Sequence, residues 1–333
     1  MVPRELLARF PEGGRVGESP STMLAVGARR YGPPEVLHQF EAPVPRVGVG
    51  ELRIRIHAAA VTDSDIFIRS ARVPRSAVVP FRLAMGVTRP RRPILGFTFS
   101  GVVDACGGRI RRFEPGDEVY GACGLTLGAY AQYRCMPERD SRLRGSLARR
   151  PTAVTHEQAT AVAYGGPLAW QYLRPDDLTA GARVLVYGAS GTSGTLAVQL
   201  AKARGAHVTA VCGPTNGDRG RALGADEVLD YTAVDSPPAG STYDVVLDSV
   251  GMTKTSRLKE ACRAAVAPGG RYASISDGDL KLRSDWLDRL TALVDAGDLA
   301  PVLGGTYPLA EIVAAHRFVE TGHKRGGVAI TIP

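Results

Sequence analysis

The chain has 333 residues, 44% hydrophobic and 22% charged, with a formal net charge of +8. That length exceeds what one hydrophobic core usually serves, so two domains are expected, and no apolar run is long enough to form a transmembrane anchor. The basic excess is mostly scattered arginine without a nucleic-acid motif, so nucleic acid is set aside, and an anionic cofactor and substrate account for the charge as well.

The first residues mix Pro, Gly, Arg and Glu without an apolar stretch of signal-peptide length. Residues 1–21 therefore read as a mobile extension and not a secretion signal; the alternative is a short amphipathic helix at 5–10 that packs on the body or on a partner. From 22 to 150 short strands at 52–56, 101–104, 118–120 and 130–133 are broken by Gly and Pro, as in a barrel-like antiparallel domain. Inside it, residues 69–92 carry Arg69, Arg72, Arg75, Arg82, Arg89, Arg91 and Arg92 with no acid, interleaved with Val78, Val79, Phe81, Leu83 and Met85. This reads either as an amphipathic helix with a solvated arginine face, or as a lid or rim for an apolar substrate with an anionic or carrier-bound group.

The domain boundary falls near Arg150 and Pro151, and a helix from Thr155 to Leu173 leads into the second domain, residues 151–299. There Val184 to Tyr187 form a strand-like run that passes straight into Gly188, Ala189, Ser190, Gly191, Thr192, Ser193 and Gly194, followed by a helical pattern. Strand, turn and helix back to back are the mark of a dinucleotide-binding unit. Gly188 and Gly191 allow a tight turn close to an anion, Gly194 lets helix and strand pack, and the helix N-terminus presents N–H groups to a pyrophosphate.

Further strands at 207–212 and 228–231 complete a parallel sheet. No carboxylate follows Cys212 at the end of the second strand, where NAD enzymes usually hold a ribose. Thr215, Asn216 and Tyr231 are placed to hydrogen-bond a 2′-phosphate, and Arg219 and Arg221 to pair with it, which favours NADP over NAD. The alternative for the two arginines is a solvated helix face. The last stretch, 300–333, ends in a strand at 328–332 that is expected to rejoin the first domain. Cys106, Cys123, Cys135, Cys212 and Cys262 lie at no metal or disulfide spacing and read as reduced cysteines of a cytoplasmic protein.

An ordered set of segments carries a resemblance. They are Tyr31-Gly-Pro-Pro-Glu-Val-Leu37, Ala58-Ala-Ala-Val-Thr-Asp-Ser-Asp65, Ile94-Leu-Gly-Phe-Thr-Phe-Ser-Gly-Val-Val103, Phe113-Glu-Pro-Gly-Asp-Glu-Val-Tyr-Gly121 and Gly128-Ala-Tyr-Ala-Gln-Tyr133. After the glycine turn come Leu223-Gly-Ala-Asp226, Asp248-Ser-Val-Gly251, Tyr307-Pro-Leu-Ala-Glu-Ile312 and Ala315-His-Arg-Phe318. Over residues 22–333 the chain resembles a medium-chain dehydrogenase/reductase of the zinc-free, quinone oxidoreductase-like branch. The resemblance implies an α/β protein in which a GroES-like β-barrel domain joins a Rossmann doubly wound parallel sheet, with the nicotinamide between them.

Zinc-dependent relatives place a catalytic cysteine and histidine where this chain has Thr62 and Phe97, so no metal is expected. Without a Lewis acid, the resemblance implies hydride transfer from NADPH to a conjugated carbonyl: a quinone, an enone or an enoyl group, with an intermediate of secondary metabolism among the candidates. It also implies that Thr62 and Asp65 lie under the nicotinamide, that Val250 and Gly251 hold its ribose side, that Ser274 and Ile275 run past the ring, and that Lys324 or Arg325 closes on the cofactor. Tyr164 and Tyr130 remain as cleft-side hydroxyls for proton donation, each with a packed ring as its alternative.

The chain departs from the family pattern at Thr62, where quinone reductases usually have asparagine, at Leu168, where they often have threonine, and at Val73, the site of a tyrosine in enoyl-thioester reductases. The passage from Ser274 to Trp286 is shorter than in relatives and lacks an edge strand used for dimerisation, so a monomer, or a dimer through another surface, is expected. The alternative functions are reduction of a plain carbonyl, a non-redox tailoring step, or nucleotide-dependent regulation without turnover.

Overall fold

The computed structural model describes residues 20–73, 78–253 and 255–333. Of the extension expected at 1–21, residues 1–19, with the short helix considered at 5–10, lie outside them, as does Arg75. The first part of the chain forms β1 (Thr22–Ala28), β2 (Leu37–Pro43), β3 (Glu51–Ala60), α1 (Asp63–Ser70), α2 (Val78–Met85), β4 (Thr98–Cys106), β5 (Glu118–Ala122), β6 (Tyr133–Pro137) and β7 (Ser146–Arg149). A long helix, α3 (His156–Leu173), leads to β8 (Arg183–Tyr187), α4 (Thr192–Ala203), β9 (His207–Cys212), α5 (Gly217–Ala222), β10 (Glu227–Asp230) and β11 (Tyr243–Asp248). The chain closes with α6 (Arg257–Ala264), β12 (Val266–Ser274), α7 (Ser284–Asp295), β13 (Leu303–Pro308), α8 (Ile312–Glu320) and β14 (Gly327–Thr331).

β3 shows why the first sheet forms. Leu52, Ile54 and Ile56 alternate with Arg53 and Arg55, and the three apolar side chains are buried, as a half-buried strand requires. The sheet runs β13-β14-β3-β4-β5-β7, with β6 also paired to β3, while β1 and β2 form a separate antiparallel hairpin. The last strand, β14, lies antiparallel to β3, so the chain's end rejoins its beginning. The second sheet is parallel, ordered β10-β9-β8-β11-β12, the Rossmann order in which helices cross on both faces.

Two local expectations change. Tyr130 to Gln132 stand before β6 and not in it. They cross between two elements, with Val26 N–H donating to the Tyr130 carbonyl and Ile56 N–H to that of Gln132, so no continuous ladder forms. The second change concerns α2, whose only buried residue is Met85, while Val79 and Leu83 are 67% and 62% exposed. Val79 and Leu83 face out, and Arg82 leans over the Tyr31 ring at 4.4 Å and donates to the Val87 carbonyl. The helix is thus packed on the core by Phe81 and Met85 alone, and the exposed arginines of the segment, Arg72, Arg89, Arg91 and Arg92, stand before and after it.

The two sheets share one buried core. It runs without a break from Phe99, Val119 and Leu147 through Val162 and Ala169 of α3 to Val184 and Val208. Thr155 and Gln158 start α3 with a reciprocal capping box. Along α3, small residues permit close approaches. A Cβ on Gly165 would stand 2.6 Å from the Thr192 carbonyl oxygen at the start of α4, and one on Gly166 2.5 Å from Leu290 of α7. Gly327 of β14 likewise sits against Ala161, 2.8 Å from where its own Cβ would be. Among the described residues no helix is long and apolar enough to cross a membrane.

Gly165→Ala is expected to lower stability by about 1 to 3 kcal/mol, although alanine is the better helix former, because backbone at the start of α4 must move. Chemical denaturation measures it, and a gain in stability would mean that the approach of α3 to α4 is not tight.

Candidate functional site

The glycine turn closes β8. Gly188 adopts φ +83°, a left-handed conformation, and its N–H and that of Ala189 both donate to the Val211 carbonyl at 3.0 Å. A Cβ on Gly194 would come within 2.2 Å of the Gly188 carbonyl oxygen, so this glycine is what lets α4 pack on β8. Gly191 differs from expectation. Its φ of −79° is open to any residue, and a Cβ there would meet only the Gly188 carbonyl, at 3.5 Å. Its missing side chain leaves room for something outside the chain. No side chain caps α4 at this end, so the N–H groups of its first turn are available to an anion.

The hydroxyls of the turn are used for stitching. Thr192 donates to the Gly326 carbonyl at 3.0 Å, Gly326 N–H donates to the Ser190 carbonyl at 2.9 Å, and Ser193 meets the Ser249 hydroxyl at 2.5 Å. The segment before β14 therefore lies across the glycine turn, and it separates Lys324 from Arg325. Arg325 reaches the end of β9 and donates to Thr215 Oγ1 at 3.0 Å, whereas Lys324 pairs with Asp63 at 3.1 Å on the other side of the cleft. At the β9 end, the Tyr231 ring stands against Gly213, and Arg219 and Asn216 line a small hollow beside Ala189 and Ser190. The Asn216 side-chain oxygen is buried there without a partner. Arg221 is turned away, 3.4 Å from Asp218 on the exposed surface, so it is not brought to this group. The open face of Gly191, the uncapped helix end and the orphaned Asn216 oxygen fit a dinucleotide.

At the other end of the cleft, Asp248 of β11 organises the loop after it. One carboxylate oxygen accepts from the N–H groups of Val250 and Gly251, both at 3.0 Å; the other accepts from Tyr272 at 3.0 Å and Ser274 at 3.1 Å, and Lys259 pairs with it at 2.7 Å. Gly251 takes φ +68°, and Ile275 N–H donates to the Asp248 carbonyl, so Val250, Gly251, Ser274 and Ile275 come together around one acid. Asp248 was visible in the sequence only as part of a motif.

The four candidate catalytic residues separate. Thr62 and Asp65 cap α1 for each other: Thr62 N–H donates to Asp65 Oδ2 at 2.9 Å and Thr62 Oγ1 at 2.6 Å. Tyr130 is fully buried, its hydroxyl bonded to the Ala60 carbonyl and to His316 Nε2, both at 3.2 Å. It belongs to the barrel interior and not to the cleft. Tyr164 stays beside α1, its hydroxyl 3.4 Å from Ser64 Oγ and its ring edge-on to Phe97. Ser64, absent from the candidates, is its partner, and the segment 58–65 was the signal that contained it. Leu168 packs into the shared core.

Beneath α1 lies a buried polar group that the arginine-rich reading concealed. Arg69 is wholly buried and pairs with Glu320 at the end of α8; its Nε and Nη1 have no partner. It is not one of a solvated row. Burial pushes the His316 imidazole down to about 3, with Arg69 adding to the effect, and lifts the Asp65 carboxyl to about 7. Among the described residues no three His, Cys, Asp or Glu side chains come together as a metal-holding group.

Two predictions follow from this geometry. Gly191→Ala is expected to leave the melting temperature unchanged while weakening nucleotide binding, whereas Gly194→Ala lowers both; equal loss of stability in the two variants would contradict the space seen at Gly191. Asp65 carries the second. Its folded pKa of about 7 exceeds its ordinary 3.8, so its contribution is complete below about pH 4 and is lost as pH rises through 7. Asp65→Asn should therefore remove a decline of up to about 4 kcal/mol between those limits, read as the difference of two stability–pH curves, and parallel curves would refute the assignment.

Comparison with known proteins agrees with this architecture. Residues 48–144 match the alcohol dehydrogenase GroES-like domain, and residues 194–291 and 278–330 match zinc-binding dehydrogenase families. The chain is 31% identical over 330 residues to the mitochondrial NAD(P)H oxidoreductase RTN4IP1 of Mus musculus, covering 85% of this chain and 82% of the other. It is 27% identical over 331 residues to a chloroplastic NADPH-dependent alkenal/one oxidoreductase of Arabidopsis thaliana, covering 93% and 80%. Its structure matches that of the quinone oxidoreductase from Coxiella burnetii with a TM-score of 0.75 and 25% identity, covering 94% and 100%. The similarity spans both sheets and the cleft between them: this enzyme is a nicotinamide-dependent oxidoreductase and belongs to the medium-chain dehydrogenase/reductase superfamily, in its quinone oxidoreductase-like branch.

Proposed function

We propose that the chain reduces conjugated carbonyl compounds, of the quinone, enone or enoyl kind, with NADPH and without zinc. The observation that carries this reading is the Ser64–Tyr164 hydroxyl pair beside Phe97 and Thr62. A phenyl ring and a threonine hydroxyl already bonded to Asp65 are poor donors for zinc. A conjugated acceptor depends least on a Lewis acid, because the charge it gains spreads from carbon to oxygen. NADPH, held at the glycine turn and the end of β9, would supply the hydride that the β-carbon takes up. Burial holds the Tyr164 phenol above its ordinary range, so it keeps its proton and, through Ser64, donates a hydrogen bond to the oxygen that gains charge. A proton from water at the α-carbon completes the addition of one hydride and one proton across the double bond.

The preference for NADPH is supported by the end of β9, where Arg325 donates to Thr215 and the Tyr231 ring stands against Gly213. Arg219 beside Asn216 adds positive charge. The substrate in this reading is a small molecule, anionic or carrier-bound, which the formal net charge of +8 supports. The free cysteines support a reducing, cytoplasmic setting. That no strand follows β12 in the parallel sheet among the described residues supports a monomer, or a dimer formed elsewhere.

The purified enzyme is expected to oxidise NADPH with at least one quinone or enone, at a rate unaffected by dialysis against EDTA. Arg325→Ala should raise KM for NADPH about tenfold or more and that for NADH less. Tyr164→Phe should lower kcat about 100-fold with KM for NADPH unchanged. Undiminished turnover in Tyr164→Phe, or a rate that falls with EDTA and returns with zinc, would overturn the corresponding part of the reading.

A further inference from the structure

On the outer flank of the barrel a second concavity, of about 950 Å3, opens between the β1–β2 hairpin, the segment after α2, and β6. Neither the glycine turn nor Thr62, Ser64, Phe97 or Tyr164 lines it, so it is separate from the cofactor cleft. Its size is that of a small-molecule site. Its floor is apolar and includes Met23, Phe40, Ala42, Ile94 and Tyr133. These side chains pack together with Ala25 and Ala131 in a cluster of their own, apart from the main core, so the floor is preformed.

The rim is cationic. Arg46, Arg91 and Arg92 are exposed at its edge. Of the two acids that line the groove, Glu51 is engaged by Arg144 and by the Gly48 N–H, which leaves Glu41 against the three arginines. Arg134, at one end, donates to the Thr126 hydroxyl and adds to the same sign. The segment 69–92, from which two of the rim arginines come, contains no acid to offset them.

We infer that this groove is a second binding site, for an amphipathic carboxylate whose alkyl or aryl body covers the floor and whose head lies among Arg46, Arg91 and Arg92. The apolar floor favours any hydrophobic body without selecting a charge. Selection comes from the arginines, whose planar forks match a carboxylate and which repel one another until an anion lies among them. A concave site of this volume suits a small ligand better than a protein surface, which needs a broad, complementary face. The inference is independent of the reductase reading, because no residue of the cleft takes part.

Cys135 provides the readout. It lines the groove, half-buried, with its Sγ 3.5 Å from the Arg46 carbonyl oxygen. The full chain is treated with iodoacetamide, and alkylation is followed at each cysteine by mass spectrometry, with and without decanoate below its micellar concentration; calorimetry gives the affinity. Decanoate should slow alkylation of Cys135 at least about fivefold and leave the half-buried Cys106 unchanged, while 1-decanol should bind about tenfold more weakly or less. The double variant Arg91→Glu, Arg92→Glu should lose decanoate binding about tenfold or more and oxidise NADPH as before. Equal binding of decanol and decanoate would overturn the anionic selection. Absence of protection and of heat would overturn the site, as would a Cys135 that is already unreactive in the full chain before any ligand is added, since the chain would then cover the groove itself.

Discussion

Gly165 of α3 meets the Thr192 carbonyl at the start of α4, and the rest of the molecule is arranged around that approach. The nearest atoms to a Cβ on Gly165 would be backbone, which cannot give way as a side chain does, so the helix that spans both sheets and the helix that faces the pyrophosphate are held in one geometry. Tyr164, one residue before Gly165, is thereby aimed at Ser64 on α1. Leu290 fills the space at Gly166, and Gly327 brings β14 against Ala161, so three separate parts of the chain dock on one helix. The shared core follows from this: two sheets that would each expose an apolar face close upon α3 from either side.

The cleft's polar parts are stabilised from underneath. Arg69 is a full charge in an apolar setting, and its pairing with Glu320 ties α1 to α8 across most of the chain's length. Such a pair contributes little net stability against its desolvation, but removing one partner is costly, so it holds the two helices to one relative position. The Asp65 carboxyl above it and the neutral His316 beside Tyr130 obey the same rule: burial disfavours the charged form of each. The residues nearest the reacting region are therefore divided. Thr62, Asp65 and Tyr130 hold the scaffold, and the Ser64 and Tyr164 hydroxyls meet beside Phe97.

The glycine turn, strands such as β3, β8 and β9, and α3 were readable because each rests on a short-range pattern: alternation in β3, a capping box at Thr155, and positive φ required of Gly188. Errors arose where residues of one type stand close together in the sequence and only the folded chain tells them apart. Arg69 sits in a run of arginines that all look alike in sequence, and only Glu320, arriving from α8, distinguishes the one that is buried. Arg221 looked equivalent to Arg219 until the turn of α5 aimed one at the hollow and the other at Asp218. Lys324 and Arg325 are adjacent, yet the bonds between Gly326 and the glycine turn send them to opposite ends of the cofactor cleft.

Local chemistry in the chain thus specifies the elements and the class of ligand. A glycine with no Cβ permits a phosphate-sized turn wherever it stands, and the replacement of cysteine and histidine by Thr62 and Phe97 alters the available donors without reference to any neighbour. The division of labour among the hydroxyls, the burial of Arg69 and the groove beside Cys135 depend on which distant surfaces meet. Those meetings are determined by close packing around α3 and by the desolvation of charges it encloses, and both act through space between residues that no local pattern connects.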